Sequence, residues 1–148
     1  MTKDYPWGKG TPTWVRDATL NDSDKSFSVP VGKMWKILGM QHTLTTSATV
    51  GNRTLTVIIT NGTDQVWRVF QSTSLQAAST TYQYFIVPGN PALTGAAGGP
   101  SSVLITMGPV PDELLLPAGY VVRVYDFAAI DAAADDLTVV LHYVEYDA

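Results

Sequence analysis

The closing stretch, Leu114 to Ala148, does most to limit what this chain can fold into. It reads LLLPAGYVVRVYDFAAIDAAADDLTVVLHYVEYDA. Turn residues at Pro117-Ala118-Gly119 launch a β-rich run from Tyr120 to Tyr125, and an Ala/Asp loop separates it from a longer run, Leu137 to Tyr146. Side chains of a strand alternate between its two faces, so Leu137, Val139, Leu141 and Tyr143 share one face. Two consecutive strands of this kind read as the centre of a sheet, and the upstream chain must supply their partners.

That upstream chain is β-patterned from Lys25 onward. Ser26 to Val29 reads as a short strand ending at Pro30, and Trp35 to Thr46 as a longer one whose even positions Leu38, Met40, His42 and Leu44 form the apolar row. Arg53 to Thr60 alternates cleanly, with Leu55, Val57 and Ile59 on one face and Thr54, Thr56 and Thr60 on the other. Asn61-Gly62 predicts a hairpin with a type I′ turn, returning the chain into Gln65 to Gln71, where Trp67 and Val69 share a face. Tyr82 to Val87 and Ser102 to Met107 complete the set, separated by the Gly/Pro/Ala stretch 88–101, which reads as an exposed loop. With the closing pair these make eight strands and no sustained helical repeat. The expected fold is all-β: a two-sheet antiparallel jelly-roll sandwich of about eight strands, with an immunoglobulin-like sandwich as its competitor.

Residues 1–24 follow neither period. Tyr5, Trp7 and Trp14 stand among Pro6, Gly8, Gly10 and Pro12, which forbid a helix and predict an extended N-terminal arm ahead of a sandwich domain at 25–148. Two Trp side chains on an arm are costly to leave in water, so they are expected to dock on their own domain or on a neighbour. The 148 residues suit one domain. Only 15% are charged and the net charge is −4, which argues against a nucleic-acid or anionic-membrane partner. Cysteine is absent, so thiolate chemistry and disulfides are excluded. MTKDYPWGKG lacks the apolar stretch of a signal peptide, and no run is long enough to cross a membrane as a helix, which predicts a soluble protein without an export signal. The Asn-x-Ser/Thr triplets at Asn21, Asn52 and Asn61 then read as chance matches.

No catalytic signature appears. His42 and His142 are the only histidines and stand apart, so a metal centre of clustered His and Glu is not expected. Asp126, Asp131, Asp135 and Asp136 crowd one loop without the spacing of a calcium loop, and read as local hydrogen-bonding groups. Glu113 and Glu145, the only glutamates, are not placed as a glycosidase pair, and no serine sits in a nucleophile elbow. Neither catalytic residues, nor a cofactor, nor a metal is predicted. Arg53 and Arg123 each interrupt an uncharged stretch and read either as surface salt bridges or as intersubunit partners of the Asp131–Asp136 acids. Association is the stronger expectation. The second face of the last strand carries Val140, Val144 and Tyr146, and the polar face of the Arg53–Thr60 strand includes Ile58. Such faces are more apolar than a solitary sandwich requires. The predicted interface residues are therefore Tyr5, Trp7, Trp14, Arg53, Arg123, Val140, Val144 and Tyr146.

Three stretches carry a family resemblance: VPVGKMWKILGMQHTLTTSATVGNRTLTVII at 29–59, LLLPAGYVVRVYD at 114–126 and DAAADDLTVVLHYVEYD at 131–147. In order and character they resemble the jelly-roll cement or decoration proteins of tailed-bacteriophage heads. The resemblance implies a non-enzymatic virion protein on the capsid surface, made in the host cytoplasm. It implies homo-oligomers, with trimers favoured, that tie major capsid protein subunits together, and an arm with Trp7 and Trp14 that clamps the lattice. Alternatives of other kinds are a phage tail, adaptor or fibre module, and a carbohydrate-binding sandwich using Tyr82, Tyr84 and Tyr125 as a sugar platform.

Overall fold

The computed structural model describes residues 9–73, 75–88, 93–97, 103–110 and 114–148. Among the described residues, eleven strands and no helix make up the fold. They are β1 (Thr11–Asp17), β2 (Asp24–Ser28), β3 (Lys33–Thr45), β4 (Leu55–Thr60), β5 (Gln65–Gln71), β6 (Thr81–Pro88), β7 (Leu93–Ala97), β8 (Val103–Val110), β9 (Leu115–Pro117), β10 (Val121–Asp126) and β11 (Asp136–Asp147). The larger sheet runs β1-β11-β3-β6-β8-β7, with β9 on β3, and the smaller runs β2-β10-β4-β5. All pairings are antiparallel except β6 with β8.

With β7, β8 and β9 set aside, successive strands alternate between the sheets except at the fourth and fifth, which form a hairpin in the smaller one. The larger holds the first, eighth, third and sixth, and the smaller holds the second, seventh, fourth and fifth. This is the order of a jelly roll. The expected eight strands are present, but they are not quite the eight read from sequence. β1, expected within the arm, is a strand of the larger sheet and pairs with β11 over its whole length. β8 is an addition on β6, and the stretch expected as an exposed loop contains β7.

The core lies between the sheets. Leu137, Val139, Leu141 and Tyr143 of β11 face it as the period-two pattern requires, as do Val122 and Val124 of β10 and Leu55, Val57 and Ile59 of β4. β3 needs a correction. Its register with β11 shifts between His142 and Tyr143, leaving Leu38 unpaired between Ile37 and Gly39. The extra residue reverses the alternation. Trp35 and Ile37 therefore point inward before it, Met40, His42 and Leu44 after it, and Leu38 is 39% exposed. β5 carries two such irregularities, so Trp67 pairs with Ile59 and Phe70 with Val57, and the expected Trp67/Val69 face does not form.

Turn chemistry also departs from expectation at one site. Gly119 (φ 84) closes the predicted Pro117 turn, with the Tyr120 amide donating to the Pro117 carbonyl at 3.2 Å. The β4–β5 hairpin forms, but not through a type I′ turn. Gly62 alone takes a positive φ, and the Asn61 side-chain oxygen accepts from the amides of Thr63 (3.0 Å) and Asp64 (2.8 Å). The wider loop follows from the bulge beside it, which shifts Thr60 opposite Gln65.

Candidate functional site: the outer face of the larger sheet

One face of the larger sheet packs on the core and the other looks away from it. On the outer side, residues of alternating phase come together from adjacent strands: Trp14 lies opposite His142, Arg16 opposite Val140, and Val140 opposite Gln41. A shallow groove of about 450 Å³ is lined by Trp14, Arg16, Gln41, Thr43, Thr138, Val140 and His142. A second, of about 270 Å³, shares Gln41 and His142 and continues across Leu38, Gly39, Met40, Phe85 and Val87. Trp14 is 60% exposed. Arg16 is the one formal charge in either lining. The surface is thus broad, weakly charged and mixed in polarity, which suits a contact with another macromolecule better than a small-molecule site.

At one end this face is already covered. Gly10 lies so close to Val144 and Tyr146 that a Cβ there would fall 2.3 Å from a Val144 methyl and 2.4 Å from the Tyr146 ring. Tyr146 is buried and Val144 half-buried. The chain leading into β1 therefore packs on its own subunit. Trp14 and Val140 line the same groove on the face, and Tyr5 and Trp7 lie outside the described residues.

Arg53 requires a correction. It is neither at the surface nor across a subunit boundary but wholly buried in its own chain. Its Nε and Nη2 donate to the two Asp135 carboxylate oxygens at 2.9 and 3.0 Å, and its Nη1 to the carbonyls of Thr49 and Gly51. The expected acidic loop does supply the partner, within the same subunit. Arg123 forms a two-pronged pair with Asp24 on β2 and lies 4.3 Å from the Tyr125 ring. Ile58, read as apolar excess on a polar face, is only 4% exposed, standing between Arg123 of β10 and Arg68 of β5. The long stems of flanking arginines cover such a residue without help from another subunit.

The remaining chemical candidates resolve into structure. His42 faces the core between Val139 and Tyr84, while His142 faces out, so the two cannot share a metal. Burial pushes the His42 pKa from 6.5 down to about 3, and neither ring nitrogen has a partner. The acidic loop is committed to its own backbone and hydroxyls. Asp131 accepts from Ser47 and Thr49, which hold its carboxyl below the ordinary carboxylate value; Asp126 accepts from the amides of Thr54, Ala128 and Ile130; and Asp136 accepts from that of Asn21. No metal-binding cluster occurs among the described residues. Glu145 receives the Trp35 indole N–H and lies 3.4 Å from Lys33, while Glu113 lies outside the described residues. The sugar platform is contradicted: Tyr84 is a core residue donating to Gln76, and Tyr125 is covered by Arg123.

Sequence reasoning missed Lys25, Gln76 and Asp135 as buried polar anchors. Lys25 reaches Asp17, Asp22 and the Thr19 carbonyl, joining β2 to the end of β1. Alternating burial in the Lys25–Val29 run was the one signal that could have marked Lys25 as inward.

No family model matches the chain, and no curated protein matches it. Among solved structures it is similar to one of turnip yellow mosaic virus, at 9% identity and a TM-score of 0.36, covering 93% of this chain and 80% of that one. It is also similar to one of infectious bursal disease virus, Gx strain, at 10% identity and a TM-score of 0.25, covering 91% of this chain but only 31% of that one. Neither likeness is close enough to support an inference about this chain.

Proposed function

We propose that this chain is a non-enzymatic virion structural protein of a tailed bacteriophage, a cement or decoration protein that binds the capsid lattice through the outer face of its larger sheet. The observation that carries the reading is that face itself: two adjoining shallow grooves, a single charge, and an exposed Trp14 beside Val140. Cementing calls for wide contacts of modest strength, multiplied by many copies on one shell. The sequence resemblance to head decoration proteins points the same way. In this reading the partner is the major capsid protein and the protein acts as a homo-oligomer on the capsid surface.

Co-sedimentation with expanded and unexpanded shells of the phage that encodes the protein tests the reading. Wild-type protein is expected to pellet with expanded shells and to raise their melting temperature. Val140→Asp, which places a carboxylate in the middle of the face, is expected to lower binding at least tenfold while keeping the far-ultraviolet spectrum. Binding to tails instead of shells would move the protein to the adaptor or fibre role. Binding to neither would end the virion reading.

A further inference from the structure

Among the described residues the larger sheet ends at β1, and the open edge of that strand differs from the edge presented by β5. β5 breaks register with β4 twice, and such bulges turn an edge away from new partners. β1 pairs with β11 over seven consecutive residues without a break. A proline cannot donate to a ladder, so Pro12 is accommodated with its nitrogen on the open side. Backbone groups alternate in direction along a strand. Trp14 and Arg16, in phase with Pro12, therefore turn their N–H and C=O groups to the open edge.

Among the described residues, the side chains of the same two residues are also uncommitted. Arg53 is paired with Asp135, Arg123 with Asp24 and Tyr125, and Arg68 with Gln71 and, at 5.4 Å, the Phe127 ring. Arg16 is exposed and meets no carboxylate or ring among the described residues. Trp14, two residues away on the same face, is 60% exposed and carries no cation over its ring among the described residues. Across an antiparallel pair centred on the residue between them, each would stand directly opposite the other's counterpart.

We propose that two copies of this chain join along β1, antiparallel about Val15, with each Arg16 guanidinium over the partner's Trp14 ring. Complementarity selects this register. Centring on Trp14 would oppose the two indoles and set Arg16 against the partner's Pro12, which cannot donate back. Centring on Thr13 would set Arg16 against the partner's Gly10, which is occupied by Val144 and Tyr146 of its own chain. Centring on Val15 forms both Arg–Trp contacts at once, as a two-fold requires, and moves Pro12 beyond the partner strand's end. A cation over an indole is the strongest contact of its type. The junction makes one continuous sheet from two copies and joins their outer faces. It does not depend on the virion reading and is tested without shells.

The chain has no cysteine, so an introduced thiol is unique. Val15→Cys places it on the two-fold, at a non-hydrogen-bonded position where opposed Cα atoms are about 4.5 Å apart, within disulfide range. Thr13→Cys, two residues along, would face Asp17 of the partner subunit and have no thiol to meet. Mild oxidation is expected to give a covalent dimer with Val15→Cys and none with Thr13→Cys. Light scattering gives an independent readout. Arg16→Glu and Trp14→Lys are each expected to dissociate the dimer with an unchanged far-ultraviolet spectrum. An equimolar mixture of the two should re-form it, since it pairs new carboxylate with new ammonium and keeps one original Arg–Trp contact. A Val15→Cys protein that stays uncrosslinked, or a mixture that stays monomeric, overturns the proposal.

Discussion

Removing the Arg53 guanidinium would leave the buried Asp135 carboxylate with the Ser47 amide as its remaining hydrogen-bond donor. Breaking one side of such a pair costs about 3–5 kcal/mol, whereas replacing both partners by apolar groups costs far less. Arg53→Met is therefore expected to lower unfolding free energy by about that amount in denaturant titration, and adding Asp135→Leu to recover part of it. Recovery stays partial because the carbonyls of Thr49 and Gly51 lose their donor in both proteins. If the double variant were less stable than the single one, the pair would not be the anchor described. His42 makes a different prediction. Its folded pKa of about 3 lies below the unfolded 6.5. At and above the unfolded value the neutral ring contributes no loss; as pH falls toward 3 the unfolded chain gains a proton that the folded chain refuses. Stability then falls at about 1.4 kcal/mol per pH unit. Asp17, Asp131 and Asp147 have carboxyls lowered from 3.8, so their contribution is lost only at lower pH. Between pH 6.5 and 5 the wild type should lose about 2 kcal/mol and His42→Leu almost none. Parallel pH profiles would sink this account.

Strands were legible where alternation is uninterrupted, as in Leu137–Tyr143 and Leu55–Ile59, because one face of each must enter the core. Bulges were not, since they are set by backbone pairing rather than side-chain pattern. Leu38 continues the apolar row in sequence yet is the residue that reverses it. The Arg53–Asp135 pair was illegible as a buried one because its members are 82 residues apart and both types are ordinarily surface residues. The outer face was read in outline through Val140 and Val144, but its Trp14–His142 edge depends on β1 being a strand, which Pro12 concealed. A test at this scale follows from the bulge. Deleting Leu38 would remove the extra residue and set Ile37 beside Gly39, leaving Trp35 and Ile37 inward in one unbroken alternation with Met40, His42 and Leu44, so the protein is expected to keep its cooperative melt. Deleting Lys36 instead would make Trp35 and Ile37 consecutive, so that one of them must face outward, and is expected to lower the melting midpoint much further. Equal midpoints for the two deletions would show that the β3 bulge does not set the core phase.

At the scale of the molecule, the jelly roll is closed by eight strands, and β7 and β8 extend one edge of it. The parallel pairing of β6 and β8 has a direct geometric consequence. It sets Pro88 beside Val110, so the chain leaves the roll and comes back at nearly the same point. Paired strands lie about 4.8 Å apart, a gap that one residue spans. Replacing residues 89–109 by a single glycine should therefore reconnect Pro88 to Val110 without moving either. The shortened chain is expected to keep one cooperative thermal transition and the near-ultraviolet signal of the stacked Trp35 and Tyr143, whose rings lie 4.1 Å apart in the roll. It should also become more prone to associate, because excision exposes the full edge of β6, and an unguarded edge is a template for pairing. Concentration-dependent light scattering reads the second effect and circular dichroism the first. A shortened chain that lacks the near-ultraviolet signal would mean that β7 and β8 are part of what holds the roll together, not an extension of it.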